Sequence, residues 1–173
     1  MTQISAPFDR VLGLVRRELA DPTPNMEAIA ELARIGQETV DKAQRSKVPG
    51  NDTGNQYEAF AFGVFFNGKC YRRGLGRDHD FHENAAGETK KGSAKDPKRG
   101  KYGFSEALHA IRGHHPEHRG YELYLTNAMW YSAYHEGWGL PVLSQEVKNA
   151  AAKIASTFDV DVYIDFYEYD RKN

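Results

Sequence analysis

Cysteine is the scarcest of the chemically useful residues here. Cys70 is the only one in 173 residues, so the chain can form neither an internal disulfide nor a cysteine-cluster metal centre. That usage suits a reducing cytoplasm, and the thiol reads as a small, semi-buried hydrophobe rather than a nucleophile. Long apolar runs are missing too: nothing approaches the roughly 20 residues that span a bilayer. The opening Met1-Thr-Gln-Ile-Ser-Ala-Pro7 has neither the basic start nor the apolar centre of a signal peptide. No membrane partner is expected, and the Asn51-Asp52-Thr53 sequon is incidental without secretion. A dominant charge is also absent: the net charge of -1 gives no overall field to attract a phosphate backbone.

What is present is globular. Hydrophobic residues make up 40% of the chain and aromatics 12%, enough for one core, and 173 residues most naturally form one domain spanning 1–173. Phe8, Val11, Leu12, Val15 and Leu19 recur at helical spacing, and Asp21-Pro-Thr-Pro24 ends that segment. Asn25 then caps a second helix from Met26 to about Gln44, whose stripe of Ile29, Leu32, Ile35 and Val40 includes small residues that permit close approach. A helix pair packed on a sheet is the expected arrangement. Lys47 to Gly54 is a loop, since it gathers proline, glycine and Asn-Asp.

Between Tyr57 and Phe66, the residues Phe60, Phe62, Val64 and Phe66 share one parity. Asn67-Gly68 and Lys69 to Arg73 follow, which predicts a β-hairpin closed by a type I′ turn. Residues 74–101 are rich in Gly, Lys, Asp and His, and they read as a long, mobile insertion with little to give a core. A short helix over Phe104–Gly113 and a strand over Tyr121–Thr126 come next. Ser144 is positioned to cap the last helix, lined by Val147, Ala150, Ala151, Ile154 and Phe158. Val160, Val162, Ile164 and Phe166 predict a closing strand whose other face is wet or meets a partner. The fold class is α+β, with a mainly antiparallel sheet of four to five strands against two to four helices.

Two stretches stand out. The first is Ala43-Gln-Arg-Ser-Lys-Val-Pro-Gly-Asn-Asp-Thr-Gly-Asn-Gln-Tyr-Glu-Ala-Phe60, with its proline and Asp-Thr-Gly pattern between a long helix and the first strand. The second is Asn127-Ala-Met-Trp-Tyr-Ser-Ala-Tyr-His-Glu-Gly137, similar to a Tyr-Ala-x-x-x-Glu-x-Gly block. In this order they resemble the tail-completion (neck) protein family of tailed bacteriophages. The sequence departs from the family at Gln56, at Ser132 and in a charged insertion from about Arg77 to Lys101.

The resemblance implies a non-enzymatic structural subunit, assembled in the host cytoplasm and residing in the virion neck or tail. Its partners would be copies of itself in a ring, portal, head-connector or tail proteins, and nonspecifically the genomic DNA in the channel. Neither catalytic residues nor cofactor nor metal is implied. The interface candidates begin with Asp52, Thr53 and Gly54, which suit an Asx-type turn. Lys90, Lys91, Lys98 and Arg99 form a basic run that reads as a solvated loop, a phosphate contact or a dock for an acidic neighbour. Trp130, Tyr131, Tyr134 and Trp138, with Glu136 among them, fit a core corner as well as an interface anchor.

Two competing chemistries attach to the same residues. Asp52-Thr-Gly54 is half of an aspartic-protease signature, but the chain offers no second copy to share the proton. His79, His82, His109, His114, His115 and His118 fall within forty residues, and with Glu83 they offer ligands to a divalent ion. Their spacing matches no established ligand motif. A metal-dependent phage nuclease or hydrolase is therefore the alternative, and it requires these side chains to converge in one pocket.

Overall fold

The computed structural model describes residues 2–5, 23–46, 55–77, 101–116, 119–129, 132–137 and 142–166. In chain order the elements are β1 (Thr2–Ser5), α1 (Met26–Arg45), α2 (Asn55–Glu58), β2 (Phe60–Phe66), β3 (Lys69–Leu75), α3 (Lys101–Gly113), β4 (Tyr121–Asn127), α4 (Ser132–Gly137), α5 (Ser144–Phe158) and β5 (Tyr163–Phe166). The strands form one five-stranded sheet in the order β3-β2-β4-β1-β5. Every pairing in it is antiparallel, so the fold is α+β as expected.

The hairpin forms where Asn67-Gly68 predicts it. Asn67 and Gly68 adopt φ of 48° and 82°, the left-handed geometry that a type I′ turn needs and that these residues accept most readily. Asn67 does more than turn the chain. Its amide donates to the Gly120 carbonyl at 2.9 Å and its Oδ1 accepts from the Gly120 amide at 2.9 Å, which fixes the hairpin tip to the residue before β4.

Strand parity divides the core in two. Phe60, Phe62, Val64 and Phe66 of β2 meet Tyr121, Leu123 and Leu125 of β4 on one face, where α1 brings Ile29, Leu32, Ile35 and Val40 and α5 brings Val147 and Ile154. On the other face Ala61, Phe65 and Tyr124 pack against Ala107 and Ile111 of α3. All seven positions of both β2 and β4 are consequently buried, and each large side chain among them contributes about 1.5–3 kcal/mol by leaving water. Two helices, α1 and α5, share this face of the sheet and are tied also by a Lys153 to Glu38 ion pair, while α3 adds a third layer; the pair expected from residues 8–19 and 26–44 has its first member outside the described residues. Gly36 permits the close seat of α1: a Cβ there would lie 2.7 Å from Phe62 Cδ2 and 2.9 Å from Leu123 Cδ1.

Local chemistry sets the ends. Asn25 caps α1 as its side chain predicts, with Oδ1 accepting from the amides of Glu27 at 2.8 Å and Ala28 at 3.2 Å. The strand expected from Tyr57 instead begins at Phe60, because residues 55–58 form the single turn α2 and bury Gln56 and Tyr57 completely. The strand expected from Val160 begins at Tyr163. Asp159 ends α5 in the left-handed region with φ of 53°, and the Val160 amide still bonds back to Ala155, so the chain spends residues 160–162 in leaving the helix. The stretch read as an insertion from 74 to 101 is narrower, since Gly74 and Leu75 complete β3 and Lys101 opens α3. The helix expected over residues 8–19 and the loop at 47–54 lie outside the described residues.

Candidate functional site

The two sequence blocks that carry the resemblance meet in space. Asn127, the last residue of β4, donates from Nδ2 to the Gln56 carbonyl at 2.8 Å and accepts the Ser132 hydroxyl on Oδ1 at 2.7 Å. Gln56 closes the loop: its Nε2 lies 3.3 Å from Ser132 Oγ and 3.2 Å from His135 Nδ1. Gln56 and Ser132 are the two point departures from the family pattern, and here they are bonded to each other. The network joins α2 to α4 under the end of β4 with Gln56 and Thr126 fully buried. Buried hydrogen bonds of this kind favour one arrangement of the elements they join, and Gln56 Oε1 and Thr126 Oγ1 beside them have no partner among the described residues. Ser132 is no activated nucleophile, because its hydroxyl proton goes to an amide oxygen rather than to a base.

Glu136 has an internal task. Its Oε1 accepts from the amides of Val142 at 2.9 Å, Leu143 at 2.6 Å and Ser144 at 2.9 Å, and its Oε2 accepts the Ser144 hydroxyl at 2.6 Å. The cap of α5 therefore comes from Glu136, eight residues upstream of Ser144. Ser144, expected to be the cap, is the first helical residue and serves Glu136 instead. A carboxylate suits the task because the free amides and the helix dipole both favour negative charge there. Burial pushes its pKa up, but the bonds from Leu143, Ser144 and Val142 outweigh that and hold it below the ordinary value.

Of the other interface candidates, Tyr134 lies in α4. Asp52, Thr53, Gly54, Lys90, Lys91, Lys98, Arg99, Trp130, Tyr131 and Trp138 lie outside the described residues.

The histidines are placed separately. His109 and His115 are exposed, and His79, His82 and His118 lie outside the described residues. His114 stacks on Tyr124 with ring centroids 4.1 Å apart, meets the edge of Phe65, and pairs through Nε2 with Glu122 Oε1. Among the described residues no group of three metal-ligating side chains comes together. Glu122 was not anticipated as a site residue. Its signal is a carboxyl among the apolar residues of the first part of β4, buried to 3% exposure, with Oε2 lacking a partner among the described residues.

The two ends of the sheet differ in charge, with cations on β3 itself and, at the other end, Asp165 on β5 together with Asp159 and Asp161 in the link that precedes it. β3 exposes Lys69, Arg72 and Arg73, followed by Arg77, beside a groove of about 670 Å³ lined by Ala33, Gln37, Phe62, Gly74 and the exposed ring of Phe104. On the far side Asp159, Asp161 and Tyr163 are exposed and Asp165 is half-buried. No protein-family model, curated protein or solved structure matches the chain.

Proposed function

We propose that this chain is a structural virion protein of a tailed bacteriophage, a neck or tail-completion subunit that packs into a ring joining the portal or head connector to the tail. The observation that supports it best is the junction of the two blocks: the segment following Asp52-Thr-Gly54 and the segment holding Glu136 form one hydrogen-bonded unit at the end of β4. The residues that carry the resemblance are widely separated in sequence and share one corner of the fold, which suits a unit that works by contact with neighbours. Opposite charge at the two ends of the sheet suits a subunit that works by contact with copies of itself. Copies of the chain, portal, connector or tail proteins, and the genome in the passage are the partners of this reading. Among the described residues no helix is long and apolar enough to cross a membrane. The metal-dependent enzyme needs histidines and acids in one pocket, and no observation among the described residues favours it.

Imaging intact virions that carry a fusion-tagged copy tests the proposal. A ring of labelled density between portal and tail is the expected result. Its absence there, with the chain missing from purified particles by mass spectrometry, would rule the neck role out.

A further inference from the structure

The arrangement of charge across the sheet assigns a surface to the contact between copies. Strands β3 and β5 are the two outer strands, four strand spacings or about 19 Å apart. The guanidinium groups of Arg72, Arg73 and Arg77 and the carboxylates of Asp159, Asp161 and Asp165 make no ion pair within the described chain. Because they lie on opposite sides of one rigid sheet, they cannot reach each other inside a molecule. Between two molecules they can.

We propose, resting on the ring-subunit reading above, that the acidic β5 edge of one copy docks on the basic β3 edge of the next. The parity fits. Ile164 packs on the main core, so Tyr163 and Asp165 lie on the other side of the sheet. Leu75 packs on the second core with α3, and Arg73 shares its parity. A sheet continued from copy to copy therefore brings Tyr163 and Asp165 to the side that Arg73 occupies. Direction fits as well: successive antiparallel pairings leave β3 and β5 running the same way, so a copy displaced sideways without inversion presents the right strand.

The end of β3 is already closed by its own helix. Gln37 Nε2 donates to the Leu75 carbonyl at 2.8 Å and Asp41 Oδ1 accepts the Arg77 amide at 2.9 Å. Docking is thus confined to the stretch around Cys70 to Arg73 and is led by side-chain charge. Two different patches meeting head to tail give a ring or an open row, never an isolated two-fold dimer.

Cys70 supplies the probe, since the only thiol is exposed on β3. Tyr163→Cys adds a second thiol on β5, and a bismaleimide linker then joins copies across the proposed contact by pairing Cys70 with the introduced thiol, a product that peptide mapping separates from the background of like thiols joined to each other. Partial burial pushes the Cys70 thiol up, so the reaction is given a long incubation at about pH 7.5, where maleimides still prefer thiols to lysine amines. The expected result, with purified full-length chain and in cells assembling particles, is a ladder of dimers, trimers and larger species. Arg72→Glu with Arg73→Glu should cut it by about tenfold, and adding Asp161→Lys with Asp165→Lys should bring it back. A ladder no stronger than that of a Lys148→Cys control on α5 overturns the contact. So does a ladder untouched by reversing Arg72 and Arg73 when the same change abolishes retention of duplex DNA, which would make the basic edge a phosphate surface. A ring in virions without this cross-link sinks the contact and spares the neck reading; a ladder from a chain absent from the neck does the opposite.

Discussion

Removing the Glu136 carboxylate should weaken the whole domain, because one side chain there serves four donors. Three are backbone amides at 2.6 to 2.9 Å and the fourth is the Ser144 hydroxyl at 2.6 Å. Losing an ordinary capping oxygen costs about 0.5–2 kcal/mol. Glu136 exceeds an ordinary cap, since it is charged and Val142 and Leu143, whose amides it receives, are buried. Water recovers part of the loss at the half-exposed carboxylate, which puts Glu136→Ala at about 2–3 kcal/mol. For a domain of this size that corresponds to a fall in Tm of roughly 5–10 °C by circular dichroism. Glu136→Gln keeps one acceptor and should cost about 1 kcal/mol at neutral pH.

The pH dependence gives a second constraint. The folded-state pKa of Glu136 lies below its ordinary 4.5, so its charged form stabilises the fold. That contribution is complete above the unfolded value and disappears as pH falls through the folded one. The gap between the native chain and Glu136→Gln should therefore close on acidification below 4.5. A Glu136→Ala Tm within about 1 °C of the native value, or a gap that widens in acid, would refute the capping argument.

Other perturbations probe different parts of the fold. Gly36→Ala forces a methyl against Phe62 and Leu123, and should cost about 1–3 kcal/mol in urea denaturation despite alanine's better helix propensity; a gain in stability would contradict the close seat of α1. Ser132→Ala removes the hydroxyl between Gln56 and Asn127 and should cost about 1–2 kcal/mol, while an unchanged midpoint would mean that the network holds nothing in place. His114→Ala leaves the buried Glu122 carboxyl without its hydrogen-bond partner and should cost about 1–3 kcal/mol. Adding Glu122→Leu should restore most of it, and a double variant no more stable than the single one would show that the orphaned polar group was not the cause.

Local signals in the sequence were legible wherever one short stretch determines the outcome. Asn67-Gly68 specifies its own turn, Asn25 its own cap, and the stripe from Ile29 to Val40 its own buried face. Decisions made by distant residues were not. Ser144 looks like a cap from its position, but the carboxylate that caps α5 arrives from α4. Tyr121 to Thr126 is legible as a strand, but its cover on both faces is not, because that depends on α3 returning to the sheet, and Glu122 is buried with His114 as a result. β1 is too short at four residues for periodicity to reveal it. In the candidate site, Glu136 was legible as a residue to watch but not in its role. The bond between Gln56 and Ser132 could be found only by folding the chain.

β1 has a consequence for timing. Thr2–Ser5 lie between β4 and β5, with Ile4 opposite Leu123 on one side and Ile164 on the other. In the sheet, β5 is joined to the remaining strands through β1 alone. Strands far apart in sequence must therefore meet before the β1 ladder is complete, and contacts of such long separation form slowly. The β2–β3 hairpin, closed by two adjacent residues, can form without them, so the two outer edges of the sheet take shape at different times.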